Sequence, residues 1–184
     1  HNTTEDSQKS KSQTTTSEHI KKLKQFIEQK DLDNFNTFLD NTTNISKNTL
    51  NIILCYSLQN YRSNFEMIEY IQLLIAKGAD QNCIFHYVNK TSNQGAKVDE
   101  KDNVTILMYA CLYADIRLIE SIAVKKNINN KDKNGKNALF YAILSDRGDN
   151  PDVIASLIQH GIDVNCVGKI EVKDKNFEYH SPLS

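Results

Sequence analysis

The stretch KDKNGKNALFYA, residues 131–142, begins as a charged turn and ends as the start of an apolar helix, and no residue type in it marks catalysis. Asp132, Lys133, Asn134 and Gly135 make the tip of the turn, and Leu139 and Ala142 key a first helix into whatever lies beside it. The passage recurs. NVTILMYAC (103–111) superposes on GKNALFYAI (135–143), with Leu107 and Leu139, and likewise Ala110 and Ala142, 32 residues apart. A second motif closes what the first opens: KGADQNC (77–83) and HGIDVNC (160–166) share G-x-D-x-N-C. A turn, two helical segments and a closing glycine at a period of about 33 residues are a solenoid pattern, in which each unit buries its apolar face only against its neighbours.

Working outward, the same helix pairing runs along the chain. Ile20, Leu23, Phe26 and Ile27 stand at helical spacing, Lys30-Asp31 interrupts, and Leu32, Phe35, Phe38 and Leu39 resume it. Apolar segments at 52–58 and 65–76 form a second pair, 106–113 and 118–124 a third, 138–144 and 153–158 a fourth. Gly78 and Gly161 fall just past a helix end, where a positive φ is easy for glycine. Pro151 suits the first turn of the last helix, where no donor is missed. Residues 1–17 are polar and rich in Ser, Thr, Lys and Gln, which predicts a disordered tail and places the start of structure near Glu18.

Composition narrows the partners. The chain has 184 residues, 39% hydrophobic and 24% charged, with a formal net charge of −1. That balance predicts a folded protein and gives no general reason to expect nucleic acid or an anionic membrane as partner. The longest apolar cluster, IQLLIA at 71–76, is far below the about 20 residues of a membrane span. Residue 1 is His, so a cytoplasmic chain and an exported or periplasmic one that has lost a signal peptide both fit. Cys55, Cys83, Cys111 and Cys166 are widely spaced and form no CxxC, which favours buried free thiols over a disulfide framework. No Gly-rich phosphate loop, Ser-His-Asp grouping or HExxH occurs. Cys83 and His86, echoed by Cys166 and His180, offer two ligands where a tetrahedral site needs four, so neither a metal, a cofactor nor a catalytic residue is expected.

These residues resemble the ankyrin repeat family, with its turn, T-P-L-H-x-A, two antiparallel helices and closing G-A-D-V-N. Asn134-Gly135-Lys136-Asn137-Ala138-Leu139-Phe140-Tyr141-Ala142 stands on the turn and T-P-L-H-x-A, and residues 157–165 stand on L-L-x-x-G-A-D-V-N. Thr105-Ile106-Leu107-Met108-Tyr109-Ala110 matches one repeat earlier, and residues 23–39 fit both helices of a degenerate first repeat. The resemblance implies an all-α solenoid of stacked helix-turn-helix units over 18–184, with a degenerate repeat at 20–45 and repeats at about 47–82, 103–130 and 134–165. Ser181-Pro182-Leu183 looks like the start of another repeat, an incomplete one at 181–184. There are departures. Met108 and Phe140 replace the usual His, Ile106 and Ala138 the Pro, and Lys30 and Ala114 the helix-linker Gly.

Two connectors exceed a standard turn of the family. In 166–183, Ile170 and Val172 alternate with Glu171 and Lys173, then Phe177 and Tyr179 with Glu178 and His180, which predicts an antiparallel hairpin. In 83–103, Ile84, His86 and Val88 alternate with Phe85 and Tyr87. The family resemblance implies a non-enzymatic interaction module that grips one protein partner with a concave face and these two β-hairpin extensions. Its expected contacts are Phe85, Tyr87, Leu112, Tyr113, Lys133, Asn134, Lys136, Leu144, Ser145, Phe177 and Tyr179. A monomer acting as an inhibitor, an immunity-type protein or an adaptor is expected. The alternative is a targeting or scaffold segment of a larger enzyme or secreted effector.

Overall fold

The computed structural model describes residues 3–61, 64, 66–88, 102–113, 115–145 and 150–166, with side chains of the first helix from Thr15 onward. Its helices are α1 (Thr3–Glu28), α2 (Leu32–Asn41), α3 (Lys47–Tyr61), α4 (Met67–Ala76), α5 (Ile106–Tyr113), α6 (Ile116–Ile122), α7 (Ala138–Ile143) and α8 (Pro151–Gln159). They fall into two compact units, residues 3–80 with 86–88, and residues 81–85 with 102–166.

In the first unit α1 packs on α2 and α3, and α4 on α2 and α3. The core is Leu23, Ile27, Phe35, Leu39, Ile53, Leu54, Leu58, Ile71 and Leu74, all buried. Helix α3 is buried all round over residues 52–58, the stretch where its sequence is most apolar. Helices α1 and α4 end alike. Asp31 N–H reaches back to Phe26 O and Lys30 N–H to Ile27 O, while Ala79 N–H reaches Leu74 O and Gly78 N–H reaches Ile75 O. Both are Schellman turns, which need a left-handed residue to free the chain from the helix. Gly78 supplies it at φ 111°, and Lys30, standing where the family has glycine, is held at φ 55°.

The second unit repeats the design. Helix α5 packs on α6 and α7, and α8 on α6 and α7. Asp115 caps α6 by accepting from the Arg117 and Leu118 amides, and Asn137 caps α7 by accepting from the Phe140 amide. Helix α8 closes on Gly161 at φ 89°, again in a Schellman turn, with Ile162 N–H on Leu157 O.

The structure differs from the sequence expectations in α1, and of the first long connector it describes the two ends. The helical backbone of α1 reaches back to Thr3, into the segment whose composition predicts a disordered tail, although Ile20 is the first buried side chain among those described. The first long connector forms one antiparallel bridge, Ile84 with Thr105, closed by Phe85 N–H on Val104 O and Ile106 N–H on Cys83 O. Residues 89–101 lie outside the described residues. So do 167–184, including Phe177, Tyr179 and Ser181-Pro182-Leu183. Among the described residues the fold is all-α, with no strand beyond that bridge.

Candidate partner-binding surface

Helices α5 and α7 lie side by side in register, tied at both ends. Lys133 N–H donates to Asp102 O at 2.8 Å before the helices start, and Ser145 Oγ–H donates to Leu112 O at 3.1 Å where they finish. This brings the expected contacts Leu112, Tyr113 and Leu144 to the same end of one helix pair. Leu144 is 42% exposed, and Leu112 and Tyr113 are half-buried. Ser145, expected as a contact, is buried, and its hydroxyl is spent on the Leu112 carbonyl.

The turn tip is organised by Asp132. Its Oδ1 accepts the Asn134 and Lys136 amides at 2.8 and 2.9 Å, and its Oδ2 accepts the Tyr141 hydroxyl at 2.5 Å. Burial first, and that bond second, push the Tyr141 phenol up from its ordinary value. With its backbone held from inside, the tip presents Lys133 and Asn134 to solvent. Lys136 instead lays its ammonium 4.3 Å from the centroid of the Phe140 ring. Phe140 stands where the family has a hydrogen-bonding His, and here a cation–π contact links helix to turn. In the preceding repeat Met108 does a related task, its sulfur taking the Thr105 amide at 3.4 Å.

Phe85 and Tyr87 part company. The Phe85 ring stacks on Tyr109 at 3.6 Å and 12°, and Tyr109 tilts against Tyr113 at 4.9 Å, so Phe85 extends an aromatic row along α5 within the second unit. Tyr87 belongs to the first unit and is 63% exposed. Beside it Val88 is buried, clamped by Gln59, which accepts the Val88 amide and donates to its carbonyl, both at 2.9 Å.

Three groups missed at the sequence level hold this unit together. Asn127 is buried; its Oδ1 accepts Val124 N–H, and its Nδ2 donates to Ile122 O and Gln81 O, each at 2.9 Å. Asn129 spans to the next repeat, taking the Asp163 amide at 2.8 Å and giving to Gly161 O at 3.3 Å. Asn137 donates to Asp163 O at 2.9 Å. Each side chain satisfies backbone groups, in turns and at helix ends, that have no intrahelical partner.

Reactive groups do not assemble into a reaction centre among the described residues. Ser156, Glu120 and His160 meet across α6 and α8, but Ser156 Oγ donates to Glu120 Oε1 at 2.7 Å, and His160 Nδ1 lies 2.7 Å from the Ser156 carbonyl. A carbonyl only accepts, so Nδ1 carries a proton and has no lone pair with which to activate the hydroxyl. Cys111 is fully buried, and burial pushes its thiol up and keeps it protonated. His86 Nδ1 sits 3.7 Å from Cys55 Sγ, and no group of three or more His, Cys, Asp or Glu gathers among the described residues. No described helix is long and apolar enough to cross a membrane.

Comparison with known proteins agrees with this architecture. A profile of ankyrin repeats, three copies, matches residues 63–167. Over 65 residues the chain is 38% identical to a protein described as an ankyrin repeat protein from Rickettsia bellii (strain RML369-C). That alignment covers 35% of this chain and spans 38% of the relative's length.

Proposed function

Because the chain belongs to the ankyrin repeat family, whose repeats are generally protein–protein interaction modules, we propose that its second unit binds one dedicated protein partner without catalysing a reaction. The partner lies across the adjoining ends of α5 and α7 and reaches the turn tip. The carrying observation is the exposed Leu144, 42% open to solvent beside Leu112 and Tyr113. An isolated exposed leucine needs no explanation. One set next to a second leucine and a tyrosine, on a backbone locked by the Ser145–Leu112 bond, offers a preorganised apolar anchor. Tyr113 adds large contact area at low entropy cost. Lys133 and Asn134 supply a polar rim on a turn that Asp132 already holds rigid. Phe177 and Tyr179, expected as contacts from their alternation in sequence, lie outside the described residues. Such a contact suits occlusion of the partner, as by an inhibitor or immunity-type protein, and equally an adaptor.

Photo-crosslinking tests this reading. A photoreactive residue at position 144 or 133, with the same residue at exposed Gln72 as control, is irradiated in extract of the native organism. One and the same protein should be captured from 144 and 133 and not from 72. Equal labelling from all three positions contradicts the proposal.

A further inference from the structure

Gly78 and Gly161 take the left-handed position that ends a helix, at φ 111° and 89°. Where their motifs read Gly-Ala-Asp-Gln-Asn and Gly-Ile-Asp-Val-Asn, the repeat between them has Lys125-Lys126-Asn127-Ile128-Asn129. Without the glycine, α6 leaves the helix at Ala123 (φ −67°, ψ 123°), and the Asn127 side chain takes up the Ile122 carbonyl and the Val124 amide. A local rule broken with no structural return marks a functional position. The lysines go on past it. Across 125–133 the chain sorts its side chains by face: Asn127, Ile128 and Asp132 are buried, and Lys125, Lys126, Lys131 and Lys133 are exposed. The inward groups hold the backbone, Asn127 through Gln81 O and Asp132 through the Asn134 and Lys136 amides. None of the four lysines forms an ion pair among the described residues. Asp132, the one acid of the stretch, is buried and accepts three hydrogen bonds. Asp102 and Asp163 touch the strip through their backbones, and lysine still outnumbers carboxylate there, in a chain of formal net charge −1.

We infer that this lysine strip docks a carboxylate-rich segment of a protein. The inference rests on the partner-binding reading of the same unit and gives the partner its chemistry. Charge complementarity is the first ground: four exposed ammonium groups on a backbone already held from inside meet opposite charge at the cost of ordering their own side chains alone. The kind of cation is the second ground, and it favours protein over nucleic acid. Every cation of the strip is lysine, a hydrated point charge without the planar fork by which arginine grips a phosphate in two places. No aromatic ring stands in 125–133 on which a base could stack.

Fluorescence anisotropy on the full chain tests it with two labelled probes, an oligoglutamate peptide and an oligothymidylate of matched length. The peptide should bind the wild type at low salt, more tightly than the oligothymidylate does, and should weaken as salt is added. Lys125→Glu with Lys126→Glu, and Lys131→Glu with Lys133→Glu, should each weaken peptide binding at least about fivefold. Lys21→Glu with Lys47→Glu, an equal charge change on exposed lysines outside the strip, should alter it less than about twofold. Leu112→Ser with Leu144→Ser should bind the peptide as the wild type does, so failure of the apolar anchor and failure of the strip are read apart. A peptide that does not bind, an equal loss from the control pair, or tighter binding of the oligothymidylate overturns the inference. Should a reversed pair fail to fold, Lys131→Gln with Lys133→Gln decides: binding weaker than that of the control pair supports the strip, and binding equal to it sinks the strip.

Discussion

Asn127→Ala isolates the device that joins the second unit. The side chain is 1% exposed and makes three hydrogen bonds, one accepted from Val124 N–H and two donated to Ile122 O and Gln81 O. A bond of this kind contributes about 1 kcal/mol net, and a buried group stripped of its partner costs about 1–3 kcal/mol. The two carbonyls keep a second lone pair each, so the loss for Asn127→Ala comes to about 3 kcal/mol. For a chain of this length that lowers the melting temperature by roughly 6–12 °C. Asn127→Asp should cost more at neutral pH, since its carboxylate faces two carbonyl oxygens with no proton to give. The control is Asn134→Ala at the exposed turn tip, expected within about 0.5 kcal/mol of the wild type. Urea unfolding at constant m-value reads all three. If Asn127→Ala costs no more than Asn134→Ala, the role given to buried asparagine is refuted.

Other expectations follow from single groups. Lys30 holds φ 55° at the end of α1, so Lys30→Gly should stabilise the chain by about 0.5–1 kcal/mol, measured as a rise in the urea midpoint. Tyr56 is pushed up to about 12, by burial first and by its bond to Glu28 second. A raised folded value means its contribution is complete below the ordinary value of 10.0 and is lost as pH climbs through about 12. Tyr56→Phe should therefore flatten the fall in stability over that window, read from denaturant midpoints at stepped alkaline pH. Cys111, buried and protonated, should resist a disulfide reagent in native buffer while half-buried Cys83 reacts, as mass mapping of the labelled thiols would show.

The helix pairs were legible because their signals are local and repeated. Leu107 and Leu139 mark the period, Gly78 and Gly161 sit at the left-handed ends where their motif places them, and Pro151 opens α8. Even the departure at Lys30 was readable, since the Schellman turn demands a left-handed residue whichever side chain stands there. Less of the surface was legible. Exposure depends on which of two adjacent positions a helix turns outward, and sequence did not separate exposed Leu144 from buried Ser145. Phe85 read as a partner contact because alternation gives the strand faces but not the Tyr109 ring waiting in the same unit. Asn137 stood in the repeat motif, but nothing local set Asn127 and Asn129 apart from the chain's other asparagines. What distinguishes them is long-range, the backbone groups of Gln81, Gly161 and Asp163 that folding brings within reach.

The central claim is that the adjoining ends of α5 and α7 hold a protein partner. Titration calorimetry of the crosslinked partner against the wild type and a Leu112→Ser, Leu144→Ser double variant tests it most directly. The double variant should keep its circular dichroism spectrum and cooperative unfolding and bind at least about tenfold more weakly, the scale of one lost anchor. Unchanged affinity in a folded double variant would contradict the account.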